Sequence, residues 1–315
     1  MQPLIHSFLQ LLESYVFVMA ISLVLGLVFP AFFAPLAAYS AFLLQTIFFL
    51  TGLKIDIREV KRHITQPLRL IIALAVMLIV FPIIAYPIAR YLVPDASIGI
   101  FLLAAMPSAM SAPLFASLAG GSIELALVVS VLTSALAPFT IPLVGAIALG
   151  NGIDLSPIKM LTDLLLLVFP PFLLAQIVRS FFHSHIEPAS FALKPLSIVL
   201  LGLVTTAIIA KNAAEIFASF TFELLPVFAA VFIFAVVTHC IGYLIGIGKP
   251  HADKVAYAIS LAYMNIVLAI YLAGKFFPNP KTILTTIIAL LFWTVLFAAF
   301  RAIAIKIAPR QSSAA

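Results

Sequence analysis

Ala104-Ala105-Met106-Pro107-Ser108-Ala109-Met110-Ser111-Ala112-Pro113 interrupts a long apolar run, between Ile98-Gly-Ile-Phe-Leu-Leu and Leu114-Phe-Ala-Ser-Leu-Ala. Each proline lacks a backbone N–H and clashes with the preceding turn, so two of them six residues apart argue against one continuous helix. Peptide groups freed inside a bilayer survive only where protein or a water-filled cavity supplies partners. In secondary transporters such breaks sit near the bilayer midplane, where substrate and ions bind. The expectation is that residues 106–113 form a helix break beside a transport cavity, with Pro107 and Pro113 holding it open. A plain proline kink in a packing helix is the alternative.

The rest of the chain gives this stretch a membrane setting. Of its 315 residues 64% are hydrophobic and 9% charged, with a mean hydropathy of +1.26, which excludes an ordinary soluble domain. The net charge of +6 does not point to nucleic acid, because the basic residues fall in short loops between apolar runs. Cys240 is the single cysteine, so no intrachain disulfide is possible. No basic region precedes the first run, which is long enough to be a retained span rather than a cleaved signal. No metal site, cofactor or protein partner is implied by any cluster of residues.

Ten transmembrane helices can be drawn, at about 8–29, 34–53, 67–92, 97–119, 122–149, 157–182, 192–210, 222–247, 254–276 and 280–305. The tail from Arg310 reads as polar, as does the connection at Asn151-Gly152. Twelve of the seventeen Lys and Arg fall on the side of the termini, leaving Arg90, Lys159, Lys211, Lys275 and Lys281 on the other. The positive-inside rule then puts both termini in the cytoplasm, as in a multi-pass protein of the inner (plasma) membrane. Between Lys54 and Ile64 the apolar positions 53, 57, 60 and 64 oppose a basic face, the pattern of a linker lying on membrane lipids.

Spans 1–5 and 6–10 can be laid over one another as two inverted five-helix repeats. Span 9 is then the counterpart of broken span 4, and its Tyr263-Met264-Asn265 meets residues 106–113. Asn265 is an amide in an apolar run, either a substrate contact or an interhelical hydrogen bond.

These stretches resemble the bile acid:sodium symporter family. Met106-Pro107-Ser-Ala-Met-Ser-Ala-Pro-Leu-Phe-Ala-Ser-Leu-Ala-Gly-Gly is similar to the family's broken fourth helix, Pro138-Phe-Thr-Ile-Pro142 to the close of its fifth. Thr238-His239-Cys-Ile-Gly-Tyr-Leu-Ile-Gly246 resembles its eighth, and Tyr263-Met-Asn-Ile-Val-Leu-Ala the crossover of its ninth. The resemblance implies an all-α membrane protein in which broken helices 4 and 9 cross within a core domain (about 67–149 and 222–305). A panel domain (about 8–53 and 157–210) stands beside it, with substrate between the two.

It also implies two sodium ions held by oxygen ligands, and here the sequence departs from the pattern. In an ungapped alignment a Ser-Asn pair of the family falls at Ala112-Pro113, and its glutamate falls at Ser260. Two of its glutamines fall at Met264 and Met77; one hydroxyl position becomes Ala126, and Ser130 keeps its hydroxyl. A hard cation needs several oxygens, and Met, Ala and Pro side chains offer none. Sodium remains possible, but both sites read as having lost their ligands. For proton coupling, His239 is the titratable group inside a span, where a structural hydrogen bond is the competing explanation. Asp163 is the deepest carboxylate and reads as one reaching the outer interface.

The residues expected to touch substrate are Ser108, Ser111, Ser130, Thr133, Tyr263, Asn265 and His239, with N–H groups of the half-helix near residue 110 available for an anion. Apolar walls around so few polar groups suit a small-molecule amphipathic substrate, bile-acid- or sterol-like or another hydrophobic carboxylate. Zinc-protease and Gly-flanked serine motifs are absent, so no enzyme is expected. The competing reading is a non-coupled pore, lipid-binding protein or sensor on a degenerate carrier.

Overall fold

Apolar runs begin at residues that suit a first helical turn. Pro30, Pro67, Pro157 and Pro280 open helices where a missing N–H costs nothing. Ser122, Ser156 and Asn279 accept first-turn N–H groups through their side chains. The result, in a computed structural model describing residues 15–64, 66–150, 156–218, 224–277 and 279–308, is a nearly all-helical chain. The Asn151-Gly152 connection and the tail from Arg310 lie outside the described residues.

In order, the helices are α1 (Tyr15–Val28), α2 (Pro30–Lys54), α3 (Ile57–Arg62), α4 (Pro67–Leu92), α5 (Ser97–Ala105), α6 (Ala112–Leu118) and α7 (Ile123–Leu149). They continue as α8 (Pro157–Lys211), α9 (Ala213–Ala218), α10 (Leu225–Ile245), α11 (His251–Ala262), α12 (Ile266–Phe276) and α13 (Pro280–Ile307). Among the described residues five stretches are long and apolar enough to cross a membrane: α2, α4, α7, the first part of α8 to Phe182, and α10. Helix α13 makes a sixth if its 42° bend between Trp293 and Val295 is included. The runs at 157–182 and 192–210, drawn as separate spans, are two stretches of α8 separated by a kink at Phe182, where the backbone leaves helical geometry. The end of α2 and the start of the segment after Lys54 are tied to α8: Gln176 donates to the carbonyls of Gly52 (2.7 Å) and Ile55 (3.2 Å), and Arg179 to that of Leu53 (2.6 Å).

Helix α8 packs along α1 and α2. Helices α4–α7 and α10–α13 pack among themselves, and α8 meets them at α7 and α12. Glycines allow the tightest approaches. A Cβ on Gly242 of α10 would stand 2.6 Å from the Ala258 Cα and 2.7 Å from the Tyr257 carbonyl oxygen of α11.

Two interruptions meet at the centre. The chain leaves helix after Ala105 and again after Ala262, and the two loosened segments pair as an isolated antiparallel bridge, Ser108 to Met264. Ala109 N–H donates to the Tyr263 carbonyl at 2.7 Å, and Asn265 N–H to the Pro107 carbonyl at 2.8 Å. Helix α7 completes the set. Thr133 Oγ1 accepts from Ser108 N–H (3.1 Å) and donates to the Val129 carbonyl (2.7 Å). Ser130 Oγ lies 3.2 Å from Ser108 Oγ, 3.1 Å from the Ala109 carbonyl oxygen and 2.8 Å from that of Ala126. The break spans 106–111, shorter than expected at its far end. Pro113 sits in the first turn of α6, starting the second half-helix rather than lying in the gap.

Two outcomes follow from this packing. Gly242→Val is expected to cost about 1–3 kcal/mol through overpacking against backbone and to lower the melting temperature of the purified protein. Gly145→Ala, whose nearest neighbour is the Phe101 ring edge at 3.8 Å, should melt as the parent does. Thr133→Val strands the Ser108 N–H and is expected to cost about 1–3 kcal/mol, measured in the same melts.

Candidate substrate cavity

A cavity of about 240 Å³ lies where the paired breaks face α2 and the second half of α8. Leu44, Ile47, Phe48 and Thr51 come from α2, and Ser197, Ile198 and Leu201 from α8. The opposite wall is Ala109, Met110 and Ser111 of the first break, Leu114 and Phe115 of α6, and Met264 to Val267 across the second break. Its polar side chains are therefore Thr51, Ser111, Ser197 and Asn265.

Ser111 and Asn265, both half-buried, line this cavity among the residues expected from sequence. Asn265 has a structural duty as well: its side-chain oxygen caps α12 by accepting from Leu268 N–H (3.1 Å), and its NH₂ group takes no part in that cap. Ser108, Ser130 and Thr133 are buried behind the first break, where their hydroxyls secure backbone and α7 rather than form the cavity wall. Tyr263 is buried too; it stacks on Phe115 (4.8 Å between centroids) and donates to the Trp293 carbonyl at 3.3 Å. His239 lines a different, apolar groove between α10 and α13, together with Cys240. Its Nδ1 meets the Ala235 carbonyl at 2.7 Å, the structural bond that competed with a coupling role, and its ring lies edge-on to Tyr263.

The anion cradle foreseen near residue 110 is not available in the first turn of α6. Ala112 N–H is taken by Ala109, those of Leu114 and Phe115 by the Ser111 carbonyl, and Pro113 has none. Two wall hydroxyls went unnoticed in sequence. Thr51 stands three residues before Lys54, near the end of the second apolar run. No local signal marks Ser197, and its hydroxyl is spent on the Leu193 carbonyl (2.7 Å).

The positions that the resemblance aligns with sodium ligands are mostly buried. Met77, in a π-helical stretch of α4 (Val76–Val80), and Ala112, Ala126 and Met264 are buried, and Pro113 is half-buried. Among these side chains two bring oxygen. The Ser130 hydroxyl is occupied by the protein, and Ser260, buried on α11, has no protein partner. Among the described residues no group of three or more His, Cys, Asp or Glu is placed to hold a metal ion.

Known proteins are similar to this chain in sequence. The chain is 25% identical over 264 residues to the Bacillus subtilis "Uncharacterized sodium-dependent transporter YocS", covering 81% of this chain and 79% of that one. It is 25% identical to "Uncharacterized protein YbaS" of the same organism, covering 89% and 92%. "Probable sodium/metabolite cotransporter BASS1, chloroplastic" of Arabidopsis thaliana is 20% identical, over 82% of this chain and 65% of its own length. The profile of the Sodium Bile acid symporter family matches residues 41–219, more than half of the chain, and that match takes in the second part of α2, α4, the first break and all of α8. Paired helix breaks, apolar membrane-length helices and this match place the chain in the Sodium Bile acid symporter family of membrane transporters.

Proposed function

We propose that this transporter carries an amphipathic organic anion, bile-acid- or sterol-like or another hydrophobic carboxylate, by alternating access with weak or absent sodium coupling. The observation that carries the reading is the central cavity: apolar walls from α2, α6 and α8 around a few polar groups, of which Ser111 and Asn265 sit at the paired breaks. Apolar bulk packs on the walls, and neutral polar groups of the substrate meet Ser111 and Asn265 at the breaks.

In this reading α5 with α6 and α11 with α12 are the broken fourth and ninth of ten spans, arranged as inverted repeats, with both termini cytoplasmic in the inner membrane. Helices α1, α2 and α8 act as a panel against which the remaining helices move, and membrane lipid surrounds both. The weak-coupling element rests on chemistry. Where a sodium ion would bind oxygens, Ser130 already ties Ser108 and Ala109 to α7, so protein hydrogen bonds fasten the crossover. A sodium-coupled carrier is the second reading, favoured by the printed names of two relatives.

Uptake of radiolabelled cholate into proteoliposomes decides among these. Saturable uptake with counterflow is expected, changing less than about fivefold, the low end of typical coupling, when a sodium gradient is imposed. Steep sodium dependence that disappears in Ser130→Ala would establish the coupled reading instead. Flux without saturation would mean a pore, and binding without movement a sensor. Ser111→Ala and Asn265→Leu are each expected to raise KM about five- to tenfold, the worth of one lost polar contact.

A further inference from the structure

A second cavity, of about 210 Å³, lies on the same seam and is built from the same three helices. On α2 the lining moves from Leu44 to Ser40, on α12 from Val267 to Tyr271 and Lys275, and on α8 from Leu201 to Ile208 and Lys211. Seven residues of helix are about 10 Å, so this cavity is the next station along the seam from the central one. It differs in charge. The central cavity has no ionised side chain on its wall, whereas here two ammonium groups, those of Lys211 and Lys275, line the space.

Lys275 is already engaged. Its Nζ lies 2.8 Å from Oδ2 of Asp163 near the start of α8 and donates to the Tyr271 hydroxyl at 3.2 Å. Both side chains are partly exposed, at 37% and 26%. Lys211 ends α8, where a cation also suits the negative helix end. Two ammonium groups against the one carboxylate of Asp163 leave this stretch of seam positive; Glu215 follows on α9 and is not part of the lining. The wall also holds Ser40, 3% exposed, whose hydroxyl has no protein partner. A buried hydroxyl left open calls for a group to complete it.

We propose that this cavity receives the anionic headgroup of the organic substrate, held by Lys211 and Lys275 with the Tyr271 and Ser40 hydroxyls as further donors. Asp163 is the resident stand-in for that headgroup: a ligand carboxylate takes its place on Lys275. Because Asp163 lies on α8 and Lys275 on α12, the exchange releases a tie across the seam as the ligand arrives. The volume admits a headgroup and a short chain, not a sterol body, so the site selects charge and the central cavity selects shape. This rests on the transporter reading for its meaning, but its test does not need transport.

The full chain in phosphatidylcholine nanodiscs is titrated calorimetrically with octanoate and with octanamide at low ionic strength. Octanoate is expected to bind, more weakly as salt is added, and octanamide not. Lys211→Gln should weaken octanoate about tenfold or more, as for loss of a charged hydrogen bond. Asp163→Asn should strengthen it about two- to fivefold by removing the competitor of a partly exposed pair. If Lys275→Gln alone folds poorly, the double variant Asp163→Asn/Lys275→Gln, which leaves no unpaired charge, should still bind more weakly than Asp163→Asn. Unchanged octanoate binding in Lys211→Gln and in the double variant, with loss in Asn265→Leu, would place the anion in the central cavity and overturn the proposal. Displacement of octanoate by phosphatidylglycerol in the nanodisc would overturn it too, as the mark of a lipid-headgroup seat. Intact binding here with no cholate uptake would sink the transport reading alone.

Discussion

Two hydrogen bonds, from Ala109 to the Tyr263 carbonyl and from Asn265 to the Pro107 carbonyl, make the centre of this molecule possible. Opening one helix inside a bilayer leaves donors and acceptors that lipid cannot satisfy. Opening two at the same depth lets each supply the other. The bridge between Ser108 and Met264 is a minimal sheet in an otherwise helical protein, and hydroxyls from α7 take up part of what it leaves. Neither break is tolerable alone.

That mutual dependence explains the composition around the crossing. Breaks can touch only if their helices approach closely, and the approach is made by small residues: Ala105, Ala112, Ala116, Ala256, Ala258, Ala262 and Ala269 are all fully buried. Gly99 and Gly242 press against neighbouring helices with no room for a side chain. A close-packed interior of this kind holds the break in one geometry. The cavity in front of it thus has a stiff wall on one side and the α2–α8 layer on the other, which suits a seam that opens by relative movement.

Along that seam, charge and shape are separated. Ionised groups collect where Lys211, Lys275 and Asp163 stand, while the central cavity keeps only neutral polar groups. An uncompensated charge is expensive at membrane depth. Dividing recognition in this way places the charged part of the work near the ends of α8 and α12 and leaves the interior to dispersion and a few hydrogen bonds.

Much of this was legible in the amino-acid order. Apolar run lengths determined the helical membrane class, and the residues around Met106 and Asn265 marked the two interruptions and the family. Proline, however, was an unreliable guide. Pro87, Pro138 and Pro142 sit inside unbroken helices, Pro113 starts one, and the second break at Tyr263-Met264-Asn265 contains none. What decides a break is whether another strand of backbone stands ready to bond with it, and that partner is remote in sequence. The same reason scattered the expected site. Ser108, Ser130 and Thr133 are spent on the crossing, His239 looks into another groove, and Thr51 and Ser197 join the cavity from helices that local pattern does not connect to it. Composition determined that polar groups inside this protein would be few and costly; only tertiary contact decided which were consumed in holding the backbone and which were left to meet a ligand.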